Sequence, residues 1–210
     1  MGKLTLIYKF ICFFKKPKNE RKIAVRKYII MPILRTQYGN IGKGSVILKE
    51  LLVNGQKNIY IGNNVFIRDG ARIEAVTEWN EKKYSPRIII GDNVNIEQNL
   101  HLTCADEVVI GDNVSILSNV LITDINHSNK KMRVHPLKQD LEVSKVRIGS
   151  YSLIGSGAKI LPGVNIGENC VVGANSVVTK NIPDKCIVVG VPAKIIKRYD
   201  EINKKWIVER

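Results

Sequence analysis

Three histidines, His101, His127 and His135, are the side chains here best suited to exchanging a proton near neutral pH. His127 has the most telling context. It follows Val120-Leu-Ile and Thr123-Asp-Ile-Asn, where a regular pattern of aliphatic residues stops, and it opens a stretch of 24 residues (123–146) without that pattern. A long interruption inside a regular array is usually functional or disordered, and a histidine at its rim is held on one side by the array. Asp124, three residues earlier, is placed either to orient the imidazole and fix its tautomer or to satisfy backbone in a turn. His101 should point outward beside Asn99, and His135 precedes Pro136 and carries no assigned role. The histidines do not fall where adjacent rigid segments would converge on a metal ion. Cys12, Cys104, Cys170 and Cys186 show no close ligand pairing, which fits structural thiols in a reduced, cytoplasmic setting.

The element that must position these residues is a six-residue repeat. From Ile148 the chain reads Ile148-Gly-Ser-Tyr-Ser-Leu, Ile154-Gly-Ser-Gly-Ala-Lys, Ile160-Leu-Pro-Gly-Val-Asn, Ile166-Gly-Glu-Asn-Cys-Val and Val172-Gly-Ala-Asn-Ser-Val. Earlier sixes begin at Ile41, Ile61, Ile67, Ile90, Ile96, Ile110 and Ile116, with a polar break from Thr77 to Arg87. Neither an α-helix nor a lone strand has this period. A short fixed repeat is one unit stacked on itself: a brief strand with its aliphatic residue inward, then a corner where Gly or Asn takes positive φ. This is a parallel β-helix.

Bulk properties agree. The 210 residues allow one domain with appendages, and 44% hydrophobic with 25% charged residues is ordinary for a globular protein. The net charge, 33 − 19 = +14, attracts phosphate-bearing partners in general. No nucleic-acid recognition module is visible. Residues 1–36 combine an apolar run (Leu4, Leu6, Ile7, Tyr8, Phe10, Ile11, Phe13, Phe14) with lysines and arginines. The run is too short to span a membrane and lacks a secretory cleavage site. It reads either as a helix capping the open end of the β-helix or as an amphipathic, basic segment lying on an anionic membrane. Residues 37–190 form the expected β-helix domain, interrupted by loop 123–147, and residues 191–210 a tail with a short helix covering the last coil.

The hexads, Thr123-Asp-Ile-Asn-His127, the restart through Lys180 and Gly190-Val-Pro-Ala-Lys194-Ile-Ile-Lys197 together resemble the hexapeptide-repeat acetyltransferases over roughly residues 40–200. The likeness is to the sugar and polysaccharide O-acetyltransferase branch, which includes galactoside and maltose acetyltransferases. The resemblance implies an all-β, left-handed parallel β-helix, a homotrimer with active sites between subunits, and acetyl-CoA as donor, with no metal. It makes His127 the general base and Ser156 the oxyanion donor at the thioester end. Ala174 becomes a small residue beside the pantetheine arm, and Thr179, Lys180, Lys194 and Lys197 lie near pantetheine and nucleotide phosphates. Asn99 and His101 fall on acceptor-contacting positions. One departure stands out: Leu153 occupies a place that is often Trp in the family.

The function expected is O-acetylation of a sugar hydroxyl in surface-polysaccharide biosynthesis, with direct transfer, in the cytoplasm or at the inner face of the cell membrane. Three alternatives differ in class. They are N-acetylation of a nucleotide-linked amino sugar, a non-catalytic trimeric scaffold, and a metalloenzyme like the γ-class carbonic anhydrases, which hold zinc with three histidines on this fold.

Overall fold

In a computed structural model that describes residues 17–209, short strands wind into a three-sided prism. One face stacks Asn40–Ile41, Ile59–Ile61, Arg87–Ile90, Glu107–Ile110, Val146–Ile148 and Asn165–Ile166 in parallel. A second begins with Val46–Ile47, Phe66–Ile67, Asn95–Ile96, Ser115–Ile116, Leu153–Ile154 and Val171–Val172. The third runs from Leu52–Asn54 through Arg72–Ala75, His101–Cys104, Leu121–Thr123 and Lys159–Ile160 to Val177–Val178.

The repeat explains this geometry residue by residue. Its first aliphatic residue faces inward and stacks on its counterpart one coil away, as in Ile61, Ile90, Ile110, Ile148 and Ile166, all at most 1% exposed. Glycine follows because coils approach closely there: a Cβ on Gly149 would stand 2.4 Å from the carbonyl carbon of Gly167. At the corners Asn64, Asn93, Asn113 and Asn169 take φ between 54° and 57°, a region asparagine enters at lower cost than most residues. Inward Ile and Val rows fill the core, and hydrophobic burial stabilises the stack.

Both ends are covered, by different means. At the first coil, an α-helix Lys18–Val25, a π-helical turn Arg26–Ile30 and an α-helix Met31–Gln37 lie against the open end. Met31 is fully buried, and its Sδ accepts from the Ile47 N–H at 3.3 Å. Arg26 donates to the carbonyls of Ile47 (2.6 Å) and Leu48 (2.8 Å) and pairs with Glu50. The apolar run at residues 4–14 lies outside the described residues.

The last coil corrects one expectation. Residues 191–210 hold no helix among those described: Ala193–Asp200 and Lys205–Val208 are strands that extend the second face antiparallel after Cys186–Gly190. A helix would leave the outer-edge N–H and C=O groups of Cys186–Gly190 unpaired, whereas a hairpin satisfies that edge directly.

Two excursions leave the third face. Glu78–Trp79 and Lys82–Lys83 form a small hairpin. Within the longer interruption, Ile125–His127 pairs antiparallel with Leu141–Val143, with a 3-10 turn at Pro136–Lys138 between them. The stretch that lacked the hexad pattern is therefore a second, ordered hairpin.

Candidate active site

The two hairpins lock together above the third face. Trp79 Nε1 donates to the Gln139 carbonyl at 3.1 Å, and Asn80 Nδ2 donates to the carbonyls of Leu137 (3.0 Å) and Gln139 (2.9 Å). The Leu141 N–H donates to Tyr84 Oη at 3.1 Å. The Gln139 side chain is almost fully buried and organises the longer loop from within. It accepts from the Lys131 N–H at 2.9 Å and donates to the carbonyls of Lys131 and Val134, each at 3.1 Å.

Between hairpins and prism lies a cavity of about 320 Å³, into which Arg72, Trp79, His101, Thr123 and His127 are gathered. Strand alternation explains the set, because Ile125 and His127 lie two apart and share one face of their strand. The His127 and Trp79 rings stand 5.2 Å apart at 54°. Its pairing with Leu141 and the ring contact hold the imidazole on a fixed strand. Thr123 Oγ1 receives the Thr103 hydroxyl at 2.7 Å and the Ile125 N–H at 3.1 Å, so the cavity floor is tied to the hairpin base.

His101 lies half-buried on the strand next to Arg72, with Glu74 two residues further along the same face. Burial depresses its basicity, the Arg72 guanidinium adds to that, and Glu74 opposes it, leaving His101 below the ordinary imidazole range. Arg72 and Glu74 pair with each other. NMR titration should find the His101 midpoint below that of a free histidine. An Arg72→Gln variant should move it upward, since the opposing cation is removed and Glu74 is freed. A midpoint that does not move would mean Arg72 has no part in it.

Asp124 is placed elsewhere. Its carboxylate is wholly buried, accepts from the N–H groups of Ala105 and Asp106 at 2.8 Å each, and lies 3.3 Å from Cys104 Sγ. It therefore does not orient the His127 ring. Backbone donors in a closed corner have claimed it, the second of the two roles its spacing allowed. Burial raises both the Asp124 carboxyl and the Cys104 thiol, which argues against a thiolate nucleophile. Asn99 sits at an exposed corner with φ 62° and donates to Asn119 Oδ1 at 3.1 Å, outside the cavity lining.

The remaining predicted residues form a separate track. By strand register Ser156 and Ala174 are stacked at one corner, two residues beyond the paired Ile154 and Val172. Ser118 Oγ donates to Ser156 Oγ at 3.4 Å. The Ser156 N–H meets no acceptor among the described residues. Gly190 N–H donates to Ser176 Oγ (3.1 Å), and Gly190 pairs with Ala193, which puts Lys194 just past the upper end of this corner. Thr179 and Lys180 follow the last strand of the third face, both exposed, and Lys197 pairs with Ile187. Within one chain this track and the His127 cavity do not merge: neither Ser156 nor Ala174 lines the cavity.

Trp79, Arg72, Glu74 and Gln139 were not anticipated. The break at Thr77–Arg87 was the available signal, since a Trp and a Tyr inside a polar loop need something to pack on. No group of three or more His, Cys, Asp or Glu side chains able to hold a metal ion occurs among the described residues.

Prism, hairpin and corner track together define a left-handed β-helix of the acyltransferase kind, and the comparisons place it further. Residues 145–180 match the family described as bacterial transferase hexapeptide (six repeats). The chain belongs to the hexapeptide-repeat acetyltransferases: it is 37% identical over 174 residues to the galactoside O-acetyltransferase of Escherichia coli K12, covering 83% of this chain and 70% of that one. It is also 40% identical over 126 residues to WbbJ of the same organism, named for O-acetyl transfer in lipopolysaccharide biosynthesis, which covers 57% of this chain and 64% of WbbJ. Among solved structures, a variant of AntD, an N-acyltransferase from Bacillus cereus in complex with dTDP-4-amino-4,6-dideoxyglucose and coenzyme A, is 25% identical. It superposes with a TM-score of 0.68 over 84% of this chain and 92% of AntD.

Proposed function

We propose that this protein is an acetyl-CoA-dependent O-acetyltransferase of sugar hydroxyls, serving surface-polysaccharide biosynthesis in the cytoplasm. The observation that carries the reading is His127: an exposed imidazole, fixed on a paired strand against Trp79, facing a cavity of about 320 Å³. That volume suits a sugar unit, and a flat aromatic wall suits the apolar face of one.

A sugar hydroxyl is too weak an acid to ionise at neutral pH, so attack on a thioester needs its proton removed as the new bond forms. His127 takes that proton as the hydroxyl oxygen bonds to the acetyl carbon, and returns it to the departing thiolate as the carbon–sulfur bond breaks. The unclaimed N–H of Ser156 is suited to the oxygen that gains charge. The corner at Ser156 and Ala174 is narrow and carries small side chains, as a pantetheine arm requires. Exposed Thr179, Lys180 and Lys194, with half-buried Lys197, offer polar and cationic contacts for coenzyme phosphates. His101, with Arg72 beside it, and Asn99 at the adjacent corner bear on the acceptor. Because the cavity and the track do not merge within one chain, we assign the complete site to the cleft between subunits of a homotrimer.

The test is an acceptor screen with acetyl-CoA, reading free thiol release, against free, nucleotide-linked and lipid-linked sugars. Hydroxyl acceptors should turn over at least tenfold faster than amino sugars. Exclusive turnover of a nucleotide-linked amino sugar would establish the second reading, N-acylation, which the likeness to AntD favours. Absence of any acetyl-CoA binding by calorimetry would leave a scaffold.

A further inference from the structure

The helical cap has an inner face that is accounted for and an outer face that is not. Inward, Met31 is fully buried, Leu34 packs on the core, and Arg26 is tied to the first coil. Outward, Val25 (38% exposed), Tyr28 (72%), Ile29 (59%) and Ile33 (57%) follow one another at helical spacing, with exposed Pro32 among them. Three aliphatic side chains and an aromatic ring so placed gain little from water, and four in one stripe exceed the scattered apolar residues normal on a surface.

Charge identifies the occupant. Residues 1–37 contain ten Lys or Arg (Lys3, Lys9, Lys15, Lys16, Lys18, Arg21, Lys22, Arg26, Lys27 and Arg35) and one acid, Glu20, so they carry 10 − 1 = +9 of the chain's +14. Lys22 pairs with Asp69 and Arg26 with Glu50, while Lys18, Lys27 and Arg35 flank the stripe on exposed positions. The sequence entering the helix adds Leu4, Leu6, Ile7, Phe10, Ile11, Phe13 and Phe14 among four lysines. The same segment of a second copy, also +9 over residues 1–37, is an electrostatically poor neighbour for this face. An anionic bilayer offers headgroup phosphates to the lysines and acyl chains to the stripe. No described helix is long and apolar enough to cross a membrane.

We propose that the outer face of the capping helices, Val25, Tyr28, Ile29 and Ile33 with their basic flanks, is a docking surface for an anionic lipid bilayer. The cap then has two jobs on two faces. Met31 and Arg26 close the β-helix, and the opposite side holds the enzyme on the membrane, where lipid-linked acceptors would be met. The inference stands independently of which group is acetylated.

The experiment is co-sedimentation of the full chain with vesicles of phosphatidylcholine alone or with about a third phosphatidylglycerol. The wild type should bind the anionic vesicles at least tenfold more strongly at 0.1 M salt, and 0.5 M salt, with a roughly twofold shorter screening length, should release most of it. A Tyr28→Ser, Ile29→Ser, Ile33→Ser triple variant should lose tenfold or more of that binding. Its thermal midpoint, solution mass and turnover of a soluble acceptor should be unchanged, because none of these side chains enters the core. Equal binding by wild type and triple variant would overturn the proposal. So would a triple variant of reduced solution mass, which would make the stripe a contact between copies.

Discussion

Replacing His127 by alanine should lower kcat for a sugar hydroxyl by about 10²- to 10⁴-fold, the usual contribution of a positioned proton acceptor. The loss should lie in kcat, with the KM for acetyl-CoA nearly unchanged, because in the proposed site His127 handles the acceptor's proton while Thr179, Lys180, Lys194 and Lys197 grip the coenzyme. Thermal stability should shift little, since the side chain is exposed and its ring contact is with Trp79 alone among the aromatic pairs described for the site. That separation makes the result interpretable, as activity would fall without unfolding. An amine nucleophile needs less help from a base, so a loss under tenfold would point to N-acylation. A variant with wild-type turnover on a hydroxyl acceptor would remove His127 from the mechanism altogether.

Asp124→Ala should do the reverse, with a large loss of stability and a secondary loss of rate. The substitution strips acceptors from the buried N–H of Ala105 and the part-buried N–H of Asp106, each costing about 1–3 kcal/mol when left unsatisfied. Together that is roughly 2–6 kcal/mol, or on the order of a 10 °C drop in Tm for a chain of this size. The Asp124 carbonyl also accepts from the Ser144 N–H at 2.9 Å, which joins the two ends of the long hairpin. Disturbing that joint should loosen the strand carrying His127 and cost up to about tenfold in kcat at permissive temperature. Asp124→Asn keeps one acceptor but turns an NH₂ toward a donor, so it should fall between. The contrast with a ring-orienting aspartate is sharp: that role predicts a severe kcat loss at unchanged Tm in Asp124→Asn. Differential scanning fluorimetry alongside initial rates separates the two.

Much of the fold was legible because it is repetitive. Ile148, Ile154, Ile160, Ile166 and Val172 each repeat one local solution, so the core could be named before any contact was known, and all five are fully buried. The glycine after many of these residues and the asparagine at many corners pointed to close approach and positive φ for the same reason. The C-terminal segment was not legible in this way. Lys194-Ile-Ile-Lys-Arg-Tyr suits a helix or a strand, and only the unpaired edge of Cys186–Gly190 selects the strand.

The site divides along the same line. Residue type and the broken repeat singled out His127, whereas the strand register of the prism puts Ser156 under Ala174. The partner of Asp124 could not be read, because Ala105 and Asp106 are neighbours only across coils. Nor could the meeting of Trp79 with His127, 48 positions apart and each on its own hairpin. A sequence repeat determines what recurs: the inward aliphatic, the tight glycine, the turn. What happens where the repeat is broken depends on which distant excursions fold over the same face, and burial and unpaired backbone groups settle that only once the prism exists.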